Sequence, residues 1–258
     1  MKPLSKQQRI SNYADAYVAD YGFEQRMVES RQRLLLELLA RTSPGCVLEV
    51  GCGAQLLFPL ALSAGIDVRR WVIVEPAQAF ADVATVAAAT SACDVRIVRG
   101  FVEDCSDEVA AACVERPAVV LVAGLLHEVA DPLRLLRVLR GLIAGDGILH
   151  ASVPNALSLH RRLARAMGLI AHEKLPSERN LHLMQPHVFD LADLMEMLAS
   201  AGFSMRDSGG YFLKPFTHAQ MESMASVMTP EVLDGLWHLG RELPDLASEI
   251  FVDASPSP

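Results

Sequence analysis

The residues whose types and spacing most directly suggest chemistry are Glu49, Gly51, Cys52 and Gly53, with Glu75 following at a distance. They lie in Cys46-Val47-Leu48-Glu49-Val50-Gly51-Cys52-Gly53-Ala54, an apolar strand entering a Gly-Cys-Gly turn, and at the end of the apolar run Trp71-Val72-Ile73-Val74. A carboxylate about 20 to 25 positions beyond a glycine-rich strand-to-helix turn is how a Rossmann-type site grips the ribose of an adenosine cofactor. Glycine lets the backbone take angles closed to other residues and approach a ligand closely. Backbone N–H groups at the start of the next helix then face that ligand. Two cofactor types fit this much. A dinucleotide site carries G-x-G-x-x-G, whereas this run reads Gly51-Cys52-Gly53-Ala54-Gln55-Leu56 and lacks the third glycine. Glu49 would repel a pyrophosphate, yet it suits a ligand with a positive sulfonium and an amino group. The details favour a methyl donor. A tight turn that binds nothing is the bland alternative, and Glu75 weighs against it, because the end of a buried strand is a poor place for an unpaired carboxylate.

A second concentration of reactive side chains lies between Pro154 and Asp190. It holds histidines 160, 172, 182 and 187 and arginines 161, 162, 165 and 179, with His150 just before it. The segment follows a strand and so starts at the carboxyl edge of the sheet, where open α/β sheets bind ligands. Asn155, His160, Arg179 and His182 are candidate acceptor-binding residues there. A solvated helical lid with its charges in water is the competing reading. His150, inside a strand, is expected to be packed and hydrogen-bonded.

From about Leu34 to Pro215 the chain resembles the class I S-adenosylmethionine-dependent methyltransferases. Val47 to Gly53 matches the family's first motif, with Gln55 where a third glycine often stands, and Glu75 matches the acidic residue that holds the ribose hydroxyls. Gly100-Phe101-Val102-Glu103-Asp104 matches the loop that sets an apolar residue and a carboxylate around the adenine. Val119 to Val122 and the following Ala123-Gly124-Leu125-Leu126-His127-Glu128-Val129-Ala130-Asp131-Pro132 match the fourth strand and the loop bordering the methyl group. Many members read Leu-Glu-His there, and this chain reads Leu-His-Glu. The resemblance implies a Rossmann-like, mostly parallel seven-stranded sheet with helices on both faces, a helical N-terminal prefix and a helical lid. It implies S-adenosyl-L-methionine as cofactor, held by Glu49, Gly51, Cys52, Gly53, Glu75, Pro76, Phe101, Val102, Glu103 and Gly124. Tyr13 or Tyr17 would cap the site, and Arg31 would meet the cofactor carboxylate. His127 is the candidate general base or acceptor-orienting group, since imidazole titrates near neutrality. A weaker resemblance over Pro154 to Pro215 points to members that modify small molecules or glycans, and methylation of oxygen rather than nitrogen is the expectation. The loop after the fourth strand lacks the Pro-Pro-aromatic signature of base-amine methylation. The carboxylate set of metal-dependent catechol-type enzymes and the paired glutamates of arginine methylation are also missing, so no metal is expected. A cofactor-binding protein without turnover and a dinucleotide oxidoreductase remain as alternatives.

The elements that must position these groups can be read from apolar runs and their punctuation. Arg26 to Leu39 has helical spacing and stops before Ser43-Pro44-Gly45. Strands are expected at 46–50, 71–75, 95–98, 118–122 and 147–153, alternating with helical patterns as in a parallel sheet. Asp131-Pro132 should open a helix over 133–142, and Leu191 to Ala201 should form another. Phe203 to Ser208 and Gly210 to Leu213 read as a closing antiparallel pair. The expected divisions are a cap at 1–43, a core at 44–215 with the lid at 155–190, and a helical extension at 216–258 whose tail from about Asp253 is disordered. Tyr13, Tyr17 and Tyr21 fall on one helix face. With 258 residues and half of them apolar, the chain can build one enlarged α/β domain. A formal charge of −8 argues against a broad nucleic-acid surface, and no apolar run approaches the roughly 20 residues needed to span a bilayer. The N-terminus lacks an apolar signal core, and the five cysteines include no C-x-x-C pair. A cytoplasmic protein acting on a small molecule is the expectation. The amphipathic stretch Glu231 to Leu243 is a candidate homodimer contact.

Overall fold

The computed structural model describes residues 22–183 and 185–258. The tyrosine stripe at 13, 17 and 21 lies outside them. Seven strands form one sheet: β1 (Cys46–Val50), β2 (Arg70–Val74), β3 (Asp94–Val98), β4 (Val119–Ala123), β5 (Ile148–Pro154), β6 (Phe203–Tyr211) and β7 (Glu249–Pro256). Their order is β3-β2-β1-β4-β5-β7-β6. The first five are mutually parallel. β7 runs antiparallel to both β5 and β6, so the sheet is mostly parallel, as expected.

Every residue of β1 is buried, which is what a strand covered by helices on both faces requires. One face packs Leu48, Val50, Val72, Val120 and Val122 against α4 (Ser106–Cys113), α5 (Pro132–Leu142) and α8 (Leu191–Ser200). The other packs Val47, Trp71, Ile73 and Leu121 against α1 (Glu24–Thr42), α2 (Phe58–Ser63) and α3 (Gln78–Ala88). α1 buries Leu34, Leu35, Leu38 and Leu39 and ends where Ser43 takes a left-handed conformation. α5 begins on Asp131, whose side chain accepts a hydrogen bond from the Arg134 N–H at 2.9 Å, with Pro132 in the first turn. The sheet edge at β3 carries the charged Asp94 and Arg96, an ion pair at 2.7 Å that discourages further strand pairing.

Two expectations about the last third of the chain are corrected. The tail from Asp253 is ordered: residues 249–256 form β7, the strand between β5 and β6. The closing pair is therefore β6 with β7, and 203–211 is one continuous strand with a bulge between Met205 and Asp207. Buried partners give the physical reason. Asp253 accepts from His150 at 2.7 Å and pairs with Arg41, while Ile250, Val252 and Ala254 enter the core. His150 is thus packed and hydrogen-bonded, as its strand position suggested. The amphipathic stretch at 231–243 forms a helix that packs one face on this chain. α10 (Pro230–Glu242) follows the short α9 (His218–Ser223), and its Trp237 packs with Phe23, Phe212 and Phe251.

Candidate functional site

Parallel pairing brings the carboxyl ends of β1 to β5 to one edge. Because β7 is antiparallel, its first residue Glu249 arrives at that same edge, opposite Pro154 of β5 and Tyr211 of β6. A cavity of about 620 Å³ opens there, its wall running from Gly51 and Glu75 to Lys214 and Glu249. That volume is in the range of a small-molecule site.

The half over β1 and β2 is built from backbone and one carboxylate. Gly51 and Gly53 have φ of 77° and 59°, the left-handed region that favours glycine. Their turn wraps Glu75, whose Oε2 accepts the Cys52 N–H at 3.0 Å and the Gly53 N–H at 3.4 Å, while Oε1 accepts the Ala77 N–H at 2.8 Å. Burial pushes the Glu75 carboxyl up, and the N–H groups of Ala77, Gly53 and Cys52 pull it back. Each carboxylate oxygen has lone pairs to spare for a ligand hydroxyl. Cys52, Pro76, Phe101, Val102 and Glu103 line the same half. This lining fits an adenosine: glycine backbone for close approach, a fixed carboxylate for a ribose, and apolar side chains for a flat base.

Gly124 marks the boundary of the second half. Its φ is 66°, and a Cβ there would come within 2.8 Å of the Arg31 guanidinium carbon. Arg31 lines the cavity, with its Nε and Nη2 engaged by the protein. It pairs with Glu249 in bidentate fashion at 3.0 and 2.5 Å and lies 3.6 Å from Glu24. Glu249 also accepts from the Tyr211 hydroxyl. Arg31 thus joins the N-terminal helix to the start of β7, a structural duty that the expected cofactor-carboxylate role did not foresee.

His127 is buried in the cavity wall. Its Nε2 is 3.5 Å from Glu128 Oε1, and its Nδ1 has no hydrogen-bond partner among the described residues. Burial, with Arg31, His187 and Arg179 nearby, pushes the imidazole down to about 3, so it is neutral at physiological pH. The lid between β5 and α8 contains α6 (Leu159–Ala166) and α7 (Glu178–His182). It is docked onto the β4 loop: Asn180 donates to Gln185, Gln185 donates to Glu128 at 3.0 Å, and the His187 N–H reaches the His127 carbonyl.

The other expected residues divide. His160 and Arg179 line the cavity. Arg179 pairs with Glu24 at 3.3 Å, and His160 sits 3.1 Å from the Ser158 hydroxyl. Asn155 also touches the cavity, yet its side chain is spent on the fold, donating to the carbonyls of Asp245 and Ala247 and accepting from the Leu157 N–H. His182 is exposed on α7 and is not part of the wall. Glu49 is not part of it either. Strand alternation places it on the same sheet face as Trp71, whose indole N–H it accepts at 2.8 Å, and burial pushes its carboxyl up to about 7. The sulfonium argument attached to Glu49 therefore loses its geometric basis. Arg161, from the lid's run of arginines, lines the acceptor half, and so do Glu24, Lys214, His218 and Glu249, which were not singled out in the sequence. The one available signal was Lys214, one of only four lysines in the chain.

A family model described as a methyltransferase domain matches residues 23–208. The chain belongs to the class I S-adenosylmethionine-dependent methyltransferases. The methyltransferase also resembles solved structures in fold. The plantazolicin methyltransferase BamL, solved with a triazolic desmethylPZN analog and S-adenosylhomocysteine, is 11% identical, with 98% of each chain covered and a TM-score of 0.56. A methyltransferase of Thermotoga maritima, described as a possible histamine N-methyltransferase, is 14% identical over 95% of this chain and 99% of its own, with a TM-score of 0.56. One from Mesorhizobium loti is 15% identical over 87% and 97%, again with a TM-score of 0.56. No protein among curated sequences matches the methyltransferase. Among its described residues, no helix is long and apolar enough to cross a membrane, and no group of three or more His, Cys, Asp or Glu is placed to hold a metal ion.

Proposed function

We propose that this methyltransferase transfers a methyl group from S-adenosyl-L-methionine to an oxygen of a small-molecule acceptor. One observation carries the reading: the glycine turn with Glu75 and the polar wall from His127 to Glu249 enclose a single cavity. When bound, the cofactor supplies a methyl group already activated on a sulfonium, so the protein's task is alignment and exclusion of water. Glu75 and the Gly51–Gly53 backbone would hold the adenosine, and Phe101 and Val102 would supply an apolar surface for the base. The lid, tied to Glu128 through Gln185, closes the acceptor half from solvent.

His127 acts mainly by orientation. A general base works best with a pKa near the operating pH, and a histidine held near 3 is a weak one. Its neutral imidazole would accept a hydrogen bond from the acceptor hydroxyl, orienting that oxygen, and would take the hydroxyl proton once methylation makes the oxygen strongly acidic, with S-adenosylhomocysteine leaving as the thioether. Glu128, 3.5 Å from Nε2, favours whatever positive charge develops on the ring. The small-molecule acceptor is in keeping with the cavity's size and with the plantazolicin enzyme of the same fold.

Calorimetry tests the cofactor half: S-adenosylhomocysteine should bind and NAD should not, and a tight NAD complex without S-adenosylhomocysteine binding would sink the reading. Screening hydroxylated and amino compounds for S-adenosylhomocysteine release tests the acceptor half. Mass spectrometry should find methyl ethers or esters, and exclusively N-methylated products would refute the oxygen assignment. In such an assay His127→Ala should lower kcat by about 100-fold, the cost of misplacing reacting groups, and leave S-adenosylhomocysteine affinity within twofold. Unchanged turnover would remove His127 from the mechanism.

A further inference from the structure

The acceptor half of the cavity holds more positive charge than the described residues neutralise. Four cationic side chains reach it: Arg31, Arg161, Arg179 and Lys214. Three carboxylates line the same half, and Glu128 lies at its His127 end, where it accepts from Gln185. Glu249 is taken by Arg31 and the Tyr211 hydroxyl, and Glu24 by Arg179 with Arg31 beside it. Arg161 is held by neutral groups, its guanidinium donating to the carbonyls of Glu173 and Leu175. Lys214 forms no ion pair or hydrogen bond among the described residues, although it is only 7% exposed and lines the cavity. The surrounding histidines bring no further charge, because burial, with Lys214 among the repelling cations, keeps His160 and His218 neutral.

An ammonium taken out of water without a partner is costly, and a fold tolerates it where a ligand completes the pair. We infer that the methyl acceptor carries an anionic group, a carboxylate or phosphate, that docks against Lys214 and Arg161 at the end of β6 and under the lid. This deepens the methyltransferase reading and rests on it. The topology supports a division of labour. Lys214 follows β6, on the far side of β7 and β5 from the β4 loop, whereas His127 stands beside Gly124. An acceptor anchored by its anion at Lys214 would therefore present a different part of itself at His127. Lysine suits the anchor as a compact point charge with rotatable donors, and Arg161, already fixed by two carbonyls, adds a preset field. Charge-assisted hydrogen bonds of this kind are the stronger class.

The closing experiment uses the full chain saturated with S-adenosylhomocysteine and titrates inorganic phosphate, benzoate and neutral benzamide by calorimetry. At least one anion should bind and benzamide should not. Lys214→Met should weaken anion binding at least tenfold with S-adenosylhomocysteine affinity within twofold, and Lys214→Arg should restore most of it. Retained cofactor affinity also reports that each variant is folded. No anion binding to the wild-type complex, or equal binding to Lys214→Met, would overturn the inference while leaving the methyltransferase reading intact. A parallel loss of S-adenosylhomocysteine affinity in a folded Lys214→Met would place the cofactor's own carboxylate at Lys214, and that too would overturn it. Failure of S-adenosylhomocysteine to bind the wild type at all would instead sink the methyltransferase reading itself.

Discussion

Glu49 and Glu75 belong to consecutive strands that pair in the sheet, with Glu75 two residues beyond the position opposite Glu49, yet their surroundings assign them opposite duties. Glu75 leaves the end of β2, meets three backbone N–H groups and faces the cavity. Glu49 lies inside β1, turns into the apolar layer and has the Trp71 indole as its hydrogen-bond partner. Burial raises its carboxyl to about 7, well above that of a free glutamate. The folded protein therefore holds this proton more tightly than the unfolded chain does. The stabilisation is complete below about pH 4.5 and is lost as pH rises through 7. Glu49→Gln keeps an acceptor for the indole and removes the charge. It should be more stable than the wild type at pH 8, by on the order of 1–3 kcal/mol, with the gap closing below pH 5. Thermal melts at the two pH values measure this, and an equal gap at both would contradict it. The sequence offered no way to separate the two carboxylates by role, because both follow apolar residues near a strand's end. Only the strand alternation, combined with the position of Trp71 on the neighbouring strand, tells them apart.

At the scale of elements, the first five strands and their helices were legible because each is an apolar run closed by glycine, proline or a capping residue. β7 was not, since Asp-Ala-Ser-Pro-Ser-Pro has the composition of a loose tail. Its order comes from residues distant in sequence: Arg41 at the end of α1 and His150 in β5, both on Asp253. Asp253→Ala would leave the buried His150 ring without its acceptor and Arg41 without its ion pair. A loss of about 1–3 kcal/mol is expected, read as a lower urea midpoint with an unchanged slope. Most of it should trace to His150, because the Arg41 side chain is about half exposed and exposed ion pairs contribute little. Arg41→Ala alone should accordingly cost well under half as much. An equal cost for the two variants would show the ion pair to be dominant.

For the whole molecule, stability against pH is set by opposing titrations, two at the cavity wall and one inside the sheet. His160 and His218 are held neutral to about 3 and 2 by burial and by Lys214, whereas a free histidine titrates near 6.5. As pH falls through 6.5 the unfolded chain takes up these protons and the fold does not, so both residues make the protein less stable in acid. Glu49 works in the other direction between 4.5 and 7, so the melting temperature of the wild type mixes the two effects. The difference between variant and wild type isolates one of them. His160→Asn/His218→Asn should gain melting temperature relative to the wild type as pH is lowered from 7 to 5, and a constant difference would refute the buried neutral state. Here too the sequence shows only part of the arrangement. The glycine turn and Glu75 announce the cofactor half because they are contiguous and patterned. The acceptor half is drawn from α1, the lid, the segment after β6 and the first residue of β7, and no local pattern joins those four.

The place of β7 between β5 and β6 has a consequence for the order of events during synthesis. A ribosome delivers β1 to β5, and with them the glycine turn, Glu75 and His127, well before Glu249 appears. A nascent chain can thus complete its nucleoside pocket first, while β6 waits for the strand that will seat it and Arg31 waits for its carboxylate. Long-range pairing of this kind is slow to nucleate, and until it occurs an unpaired edge of β5 lies open to other chains. The methyl-donor half of the site is in this sense older, in the life of each molecule, than the half that chooses what to methylate.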